Sequence, residues 1–152
     1  MSGSYAYDSS YLRTIFGILR ICTLLCSLIG FNCIIFSSVP VHNFRGCFYI
    51  SVAVFGYCCS TVVLLARLFQ VWERKFHNFQ AFKYETYLHS FLAVAFFIAS
   101  ALSLSLAVVT YSVATFFGYL TSCFYAADAY LSYRQSRICN VATQTPEVGW
   151  VV

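Results

Sequence analysis

Long apolar runs separated by short polar stretches form the main pattern of this chain. Arg20 and Arg45 are separated by 24 residues without Asp, Glu, Lys or Arg, and Arg45 and Arg67 by 21. A third run, between Glu85 and Asp128, is 42 residues long. A hydrocarbon layer about 30 Å thick needs roughly 20 apolar residues of helix. The first two runs therefore predict one membrane span each, and the third predicts two.

We expect an all-α membrane protein, a bundle of four transmembrane helices in one domain. The predicted spans are residues 14–37, 46–71, 86–107 and 112–133. The turn between the last two is predicted near Val109-Thr110-Tyr111. Residues 1–13 form an N-terminal tail, and residues 134–152 form a polar, flexible C-terminal tail.

The composition supports a membrane protein. Hydrophobic residues make up 61% of the 152 residues and charged residues 9%, whereas about a quarter of the residues in soluble domains are charged. A soluble domain of this size has too little interior to hide so much apolar surface.

The basic residues predict the orientation. Counting the span ends, one side of the membrane receives both tails, the middle loop and these residues: Arg13, Arg20, Arg67, Arg74, Lys75, Lys83, Arg134 and Arg137. The other side receives Arg45. Lys and Arg concentrate on the cytoplasmic side of membrane proteins, so both tails are expected in the cytoplasm. The net charge of +4 then suits the anionic inner leaflet. Without a basic groove or motif, no nucleic-acid partner is expected.

Two predicted spans carry small residues at intervals of four. The row in the third span is Ala95, Ala99, Ser103 and Ala107, and the row in the fourth is Ala114, Gly118, Ser122 and Ala126. Small residues let membrane helices approach closely, so both rows are predicted packing surfaces. Chance enrichment and a contact between copies of the chain are the alternatives.

Several charged side chains fall within or beside the spans. Asp128 is expected to pair with Arg20 or Arg67, because an isolated carboxylate in lipid costs several kcal/mol; the alternative is that each side chain snorkels separately to the headgroups. Glu85 and His89 lie one helical turn apart and are interpreted as interfacial anchors, since a metal site would need more ligands. A proton relay is not favoured, because no second acidic residue is expected in the core.

The cysteines and the C-terminus leave further alternatives open. Cys33 and Cys47 lie near the outer face and form either a disulfide or two thiols. Cys139 is a juxtamembrane site for palmitoylation or an ordinary thiol. The final Trp150-Val151-Val152 has the hydrophobic pattern that can add to a PDZ-type groove.

No enzymatic activity and no cofactor are expected. The sequence contains no Ser-His, paired-Asp or metal-ligand motif that would bring reactive groups together. A small channel or transporter subunit is the alternative function, although the spans offer few polar residues at mid-depth for a pore.

Two segments carry a resemblance to a known family. Tyr7–Thr14, followed by Gly17–Arg20, resembles the entry to the first span in the chemokine-like factor group of MARVEL transmembrane proteins. Ala114–Leu120 and Tyr125–Tyr130 resemble the fourth span of that group, and the four-span layout is similar across nearly the whole chain, as it is in the plasmolipin branch of the superfamily.

The resemblance implies a scaffold or adaptor that organises membrane domains and the trafficking of vesicles or partner membrane proteins. The implied partners are lipids, including cholesterol-rich domains, and other membrane proteins. The implied location is the plasma membrane, endosomal vesicles or secretory vesicles.

Overall fold

A computed structural model of the chain describes residues 9–37, 43–69, 78–106 and 108–144. The regular structure in these residues is helical, as predicted. The elements are a short 3-10 helix (Ser9–Arg13), α1 (Ile15–Ile35), α2 (Phe44–Leu68), α3 (Asn78–Leu104) and α4 (Val109–Gln144).

Three of the helices are long and apolar enough to cross a membrane: α1, α2 and the Gln80–Leu104 part of α3. At 1.5 Å per residue, the 21 residues of α1 extend about 31 Å, which matches the hydrocarbon thickness of a bilayer. The expectation of membrane-crossing helices is confirmed for these three. α4 is longer, with 36 residues, but does not reach the same apolar character because its inward face carries tyrosine, serine and threonine.

The start of α3 differs from the prediction. The helix begins at Asn78, eight residues before the predicted start at residue 86. The predicted boundary excluded Glu85 from the span because of its charge. In the structure Glu85 lies within α3 and is 1% exposed. Partner side chains inside the bundle compensate its charge, so the helix does not have to begin after it.

α4 also differs from the prediction at both ends. It begins at Val109, so helix occupies the residues predicted to form the turn, and it continues to Gln144, which lies within the predicted flexible tail. Near residue 133 the Arg137 guanidinium donates to the Tyr133 hydroxyl, with nitrogen-to-oxygen distances of 2.7 and 3.0 Å. Pairs one turn apart stabilise a helix, and this one lies where the helix leaves its apolar part.

The helices form a ring in which α1 and α3 each lie between α2 and α4. α3 and α4 are joined by four residues, run antiparallel and pack along most of their shared length. The starts of α1 and α3 therefore meet the ends of α2 and α4, and we call this the charged end of the bundle. At the opposite end, Ser37 Oγ and Thr110 Oγ1 share a hydrogen bond of 2.7 Å.

Aromatic side chains fill the centre between α2 and α4. The Tyr49 hydroxyl donates to the carbonyl of Ala114 at 2.9 Å, and the Tyr125 hydroxyl donates to the carbonyl of Gly56 at 3.1 Å. The Phe96 ring of α3 lies between them, with its centroid 6.4 Å from Tyr49 and 5.5 Å from Tyr125. All three rings are buried, so they connect α2, α3 and α4 inside the bundle.

Glycine makes room for the Tyr49 ring. Gly30 of α1 and Gly118 of α4 both face it, and a Cβ added at either residue would meet the Tyr49 side chain at less than ordinary contact distance. Close approach of these helices therefore depends on residues without a side chain.

The 3-10 helix packs on the start of α1. Thr14 is the N-cap of α1: its Oγ1 accepts from the Gly17 backbone N–H at 3.2 Å and donates to the Tyr11 carbonyl at 2.6 Å. Gly17 lies against the backbone of Tyr11 and Leu12. This contact places the Tyr11 side chain over the charged end.

Candidate functional site

Four charged side chains, one from each long helix, meet inside the charged end. Arg20 comes from α1, Arg67 from α2, Glu85 from α3 and Asp128 from α4. Arg67 is 9% exposed and each of the others 2% or less. Such burial is rare for charged residues unless they are paired, and here they form one connected set, the charge cluster.

Arg20 is the centre of the charge cluster. Its Nη2 donates to Glu85 Oε2 at 2.9 Å, and its Nε donates to Asp128 Oδ2 at 3.2 Å. Arg67 Nε donates to the other Glu85 oxygen, Oε1, at 2.9 Å. The chain of ion pairs Arg67–Glu85–Arg20–Asp128 therefore passes through all four helices.

His89 lies beside the charge cluster but is bonded less well. Its Nδ1 is 3.1 Å from Asp128 Oδ2, yet the contact lacks hydrogen-bond geometry. His89 Nδ1 therefore has no hydrogen-bond partner among the described residues, and neither do Asp128 Oδ1 and Arg67 Nη2. The His89 ring is also 5.8 Å from the Tyr125 ring, which joins the cluster to the aromatic centre.

Two aromatic side chains cover the charge cluster. Arg20 Nη1 donates to the Tyr11 hydroxyl at 2.6 Å, and the Arg67 guanidinium lies 4.2 Å from the centroid of the Phe82 ring, which is a cation–π contact. Burial raises the pKa of the Tyr11 phenol to about 12, so this hydroxyl stays protonated at physiological pH. Both rings separate the arginines from solvent.

The charge cluster is electrically balanced, with two guanidinium and two carboxylate groups and a histidine that needs no charge. A buried pair recovers little net free energy against a hydrophobic alternative, but removing one partner leaves an uncompensated charge. The arrangement is therefore suited to fixing which helices assemble and in which register. Within the described ranges, no group of three or more His, Cys, Asp or Glu side chains is arranged to hold a metal ion.

The structure places the predicted residues of this site as follows. Asp128 lies against Arg20, which is one of the two predicted partners, whereas Arg67 pairs with Glu85 instead. The interpretation of Glu85 and His89 as interfacial anchors is wrong, because each is 1% exposed. The expectation that the core holds no second acidic residue is wrong for the same reason.

Counting charges would have found the missing carboxylate. Two arginines within predicted spans need two counter-charges, and Asp128 supplies one of them. After Asp128, Glu85 is the acidic residue nearest in predicted depth to Arg67 and Arg20, and its spacing from His89 puts both on one helix face. The sequence therefore contains a signal for a buried carboxylate, although the position of Glu85 at the edge of an apolar run favours the headgroup region.

The small-residue rows lie only in part at helix contacts. Ala99, Ser103, Ala114, Gly118 and Ser122 are buried, and Ser122 Oγ donates to the carbonyl of Ala93 across α3 and α4 at 2.7 Å. Ala95 is half-buried and Ala126 is exposed, so the row in α4 leaves the interface before its end. Ala107 lies outside the described residues.

The remaining predicted sites lie apart from the charge cluster. Cys33 is a half-buried free thiol, so the disulfide with Cys47 is not formed in this structure. The backbone of Cys139 belongs to α4, but its side chain lies outside the described residues, as does the C-terminal segment 150–152. Palmitoylation and PDZ binding stay predictions.

A groove of about 250 Å³ opens between α1 and α2 near the middle of both helices. Its outer walls carry half-exposed apolar side chains, and its floor carries two small residues that are 1% exposed, Ser27 and Ala53. The lining residues are Ser27, Leu28, Phe31, Ala53, Val54 and Tyr57.

The helices define this chain as an α-helical, membrane-embedded protein. Comparison with protein-family models, with curated proteins and with solved structures finds no match to it. The resemblance to MARVEL proteins therefore stays a prediction from the sequence.

Proposed function

We propose that this chain is a four-span membrane scaffold that binds other membrane proteins sideways, through the groove between α1 and α2, without catalytic activity of its own. The groove is the observation that carries the proposal. The role agrees with the one implied by the resemblance to MARVEL proteins.

α4 is proposed to be the fourth span, with the charged end in the cytoplasm. Its outward side chains are mainly apolar or small as far as Tyr130, and include Val109, Val113, Phe116 and Ala126. Arg134 and Arg137 follow on the same helix. From residue 109 to residue 130 the helix rises about 32 Å, which is enough to cross the hydrocarbon layer.

The size and floor of the groove support a protein helix as its occupant. Small-molecule sites usually enclose roughly 300–1,000 Å³, so a volume of about 250 Å³ suits a few side chains of a neighbouring helix. Ser27 and Ala53 on the floor allow a close approach of backbones. Ser27 Oγ has no hydrogen-bond partner among the described residues, and it lies at mid-depth, where phospholipid polar groups do not reach but a polar side chain of a partner helix does.

The filled centre favours a scaffold over a channel. Buried ionisable residues in membrane proteins often mark transport pathways, and the charge cluster is the feature that would support transport. Its carboxylates are bound by arginines, however, and the rings of Tyr49, Phe96 and Tyr125 occupy the middle of the bundle. Sustained ion flux through the purified, reconstituted protein would reverse this preference.

Site-specific photocrosslinking in native membranes tests the proposal. A photoreactive amino acid replaces Val54, which lines the groove and is 46% exposed, or Ile98 of α3, which is also 46% exposed but faces lipid elsewhere. We expect discrete protein adducts from residue 54 and diffuse or lipid adducts from residue 98, because only the groove accepts a partner helix.

A filling variant provides the matched control. For this control the photoreactive amino acid replaces Leu28, which also lines the groove. Val54→Phe places a ring in the groove and should lower recovery of the crosslinked partner at least tenfold. Val62→Phe adds the same ring to a lipid-facing part of α2 and should leave recovery unchanged. Identical adducts from residues 54 and 98, or equal recovery in both phenylalanine variants, would show that the groove is not a partner site.

A further inference from the structure

Among the described residues, the exposed charged side chains at the charged end are all basic. In the described part of the chain, the acidic side chains are Glu85 and Asp128, and both are buried in the charge cluster. The basic side chains Arg13, Lys83, Arg134 and Arg137 are exposed. Because the cluster balances its own charge, it does nothing to cancel the positive potential of these four residues, which we call the basic rim.

The outward faces of α3 and α4 show the same order of residue types towards the charged end: apolar residues, then tyrosines, then basic residues. On α3 the face runs from Val94 and Phe91 to Tyr87 and Tyr84 and then to Lys83. The three aromatic residues are each more than 60% exposed. Tyrosine concentrates where hydrocarbon meets headgroups, so this order of residues fixes Lys83 at headgroup depth.

α4 repeats the order with tyrosine and arginine. Its outward face carries Tyr130, 65% exposed, and Tyr133, 46% exposed, followed by Arg134 and Arg137. The two helices are antiparallel neighbours in a register fixed by contacts such as Ser122 Oγ to the Ala93 carbonyl. That register brings Lys83 and Arg134 to within about one helical turn of the same depth.

We propose that the basic rim is a binding surface for anionic phospholipid headgroups, with Lys83, Arg134 and Arg137 as the residues that bind phosphate and Tyr84, Tyr87, Tyr130 and Tyr133 as the layer beneath them. The inference rests on the proposed four-span arrangement. The Tyr133 hydroxyl accepts hydrogen bonds from Nε and Nη2 of Arg137. Arg137 Nη1 can then donate to a phosphate oxygen.

The rim lies at the depth that such lipids occupy. Arg134 and Arg137 follow Asp128 by six and nine residues, so they lie about 9 and 13 Å further along α4. The headgroup region adds roughly 5–8 Å to each side of the hydrocarbon layer. With the charge cluster just inside the hydrocarbon boundary, side chains as long as arginine reach phosphates from both positions.

Lipid selectivity of the purified full-length chain in vesicles tests this inference. Electron paramagnetic resonance compares spin-labelled phosphatidylserine with spin-labelled phosphatidylcholine at the protein surface. The wild type should prefer phosphatidylserine by on the order of threefold or more, since bases near a surface attract anionic lipid, and added salt should weaken the preference. Lys83→Gln, Arg134→Gln and Arg137→Gln combined should lower the preference to about one.

Arg45→Gln at the opposite end is the control and should keep the wild-type preference. The triple variant should lower the unfolding midpoint only slightly, because its residues lie outside the charge cluster and the Arg137–Tyr133 pair that it removes is exposed. A triple variant that still prefers phosphatidylserine would overturn the inference, and so would a wild type without this preference. These vesicles contain no partner protein, so either result leaves the groove experiment unaffected.

Discussion

Arg20 is the residue on which the charged end depends. It bonds two carboxylates from different helices and the Tyr11 hydroxyl at once, whereas Arg67 bonds one carboxylate that Arg20 also holds. Arginine suits this role because its planar group offers five donors and keeps its charge when buried. Loss of either arginine leaves one negative charge in excess, but only loss of Arg20 leaves a carboxylate, that of Asp128, without a guanidinium partner.

Replacing each arginine by methionine separates these roles. Arg20→Met leaves Asp128 without a cation and should lower the free energy of unfolding by about 3–5 kcal/mol. Arg67→Met leaves Glu85 paired with Arg20 and should cost clearly less. Reversible unfolding in mixed micelles, followed by circular dichroism, measures both. An Arg67→Met loss equal to or larger than that of Arg20→Met would contradict the central place of Arg20.

At the scale of elements, α3 and α4 show how a small-residue row is used. Gly118 is buried against Ser100 and Tyr49, while Ala126, two turns later in the same row, is exposed. Spacing of four residues drifts around a helix that has 3.6 residues per turn. A row of this kind therefore leaves its contact after about two turns.

The row supplies its own matched pair of variants. Gly118→Leu should destabilise the bundle by about 1–3 kcal/mol or more, because the side chain overfills a closed contact. Ala126→Leu should change stability by less than about 0.5 kcal/mol, as exposed substitutions do. Reversible unfolding in the same micelles measures the free energy of unfolding of both variants. A large decrease for Ala126→Leu would mean that this face is buried by another copy or a partner.

The sequence predicts the helices better than it predicts their contacts. Hydropathy located α1 and α2 closely, because lipid selects strongly for uninterrupted apolar runs. It misplaced the start of α3 because the cost of Glu85 depends on Arg20, which is distant in the chain. The same reasoning explains why the sequence leaves both Arg20 and Arg67 as candidate partners of Asp128. The order of the helices around the ring determines which carboxylate a buried arginine contacts. That order cannot be predicted from the spacing of residues along the sequence.

For the whole molecule, the ends and the sides have different roles. The charge cluster joins all four helices at one end, the aromatic centre fills the middle, and the groove between α1 and α2 leaves one side open. A bundle fixed at one end and open at its side is suited to lateral binding. The proposed scaffold role and the proposed lipid-binding rim both require α4 to cross the membrane.

Cysteine accessibility at the two ends of α4 tests that requirement most directly. In a variant without the eight native cysteines, Val109→Cys and Arg137→Cys are each treated with a membrane-impermeant maleimide in sealed vesicles of known orientation. Asn43→Cys and Arg13→Cys, both exposed, mark the opposite end and the charged end. We predict that residue 109 reacts together with residue 43, and residue 137 with residue 13 from the cytoplasmic side only. Reaction of residues 109 and 137 from the same side would contradict the four-span account.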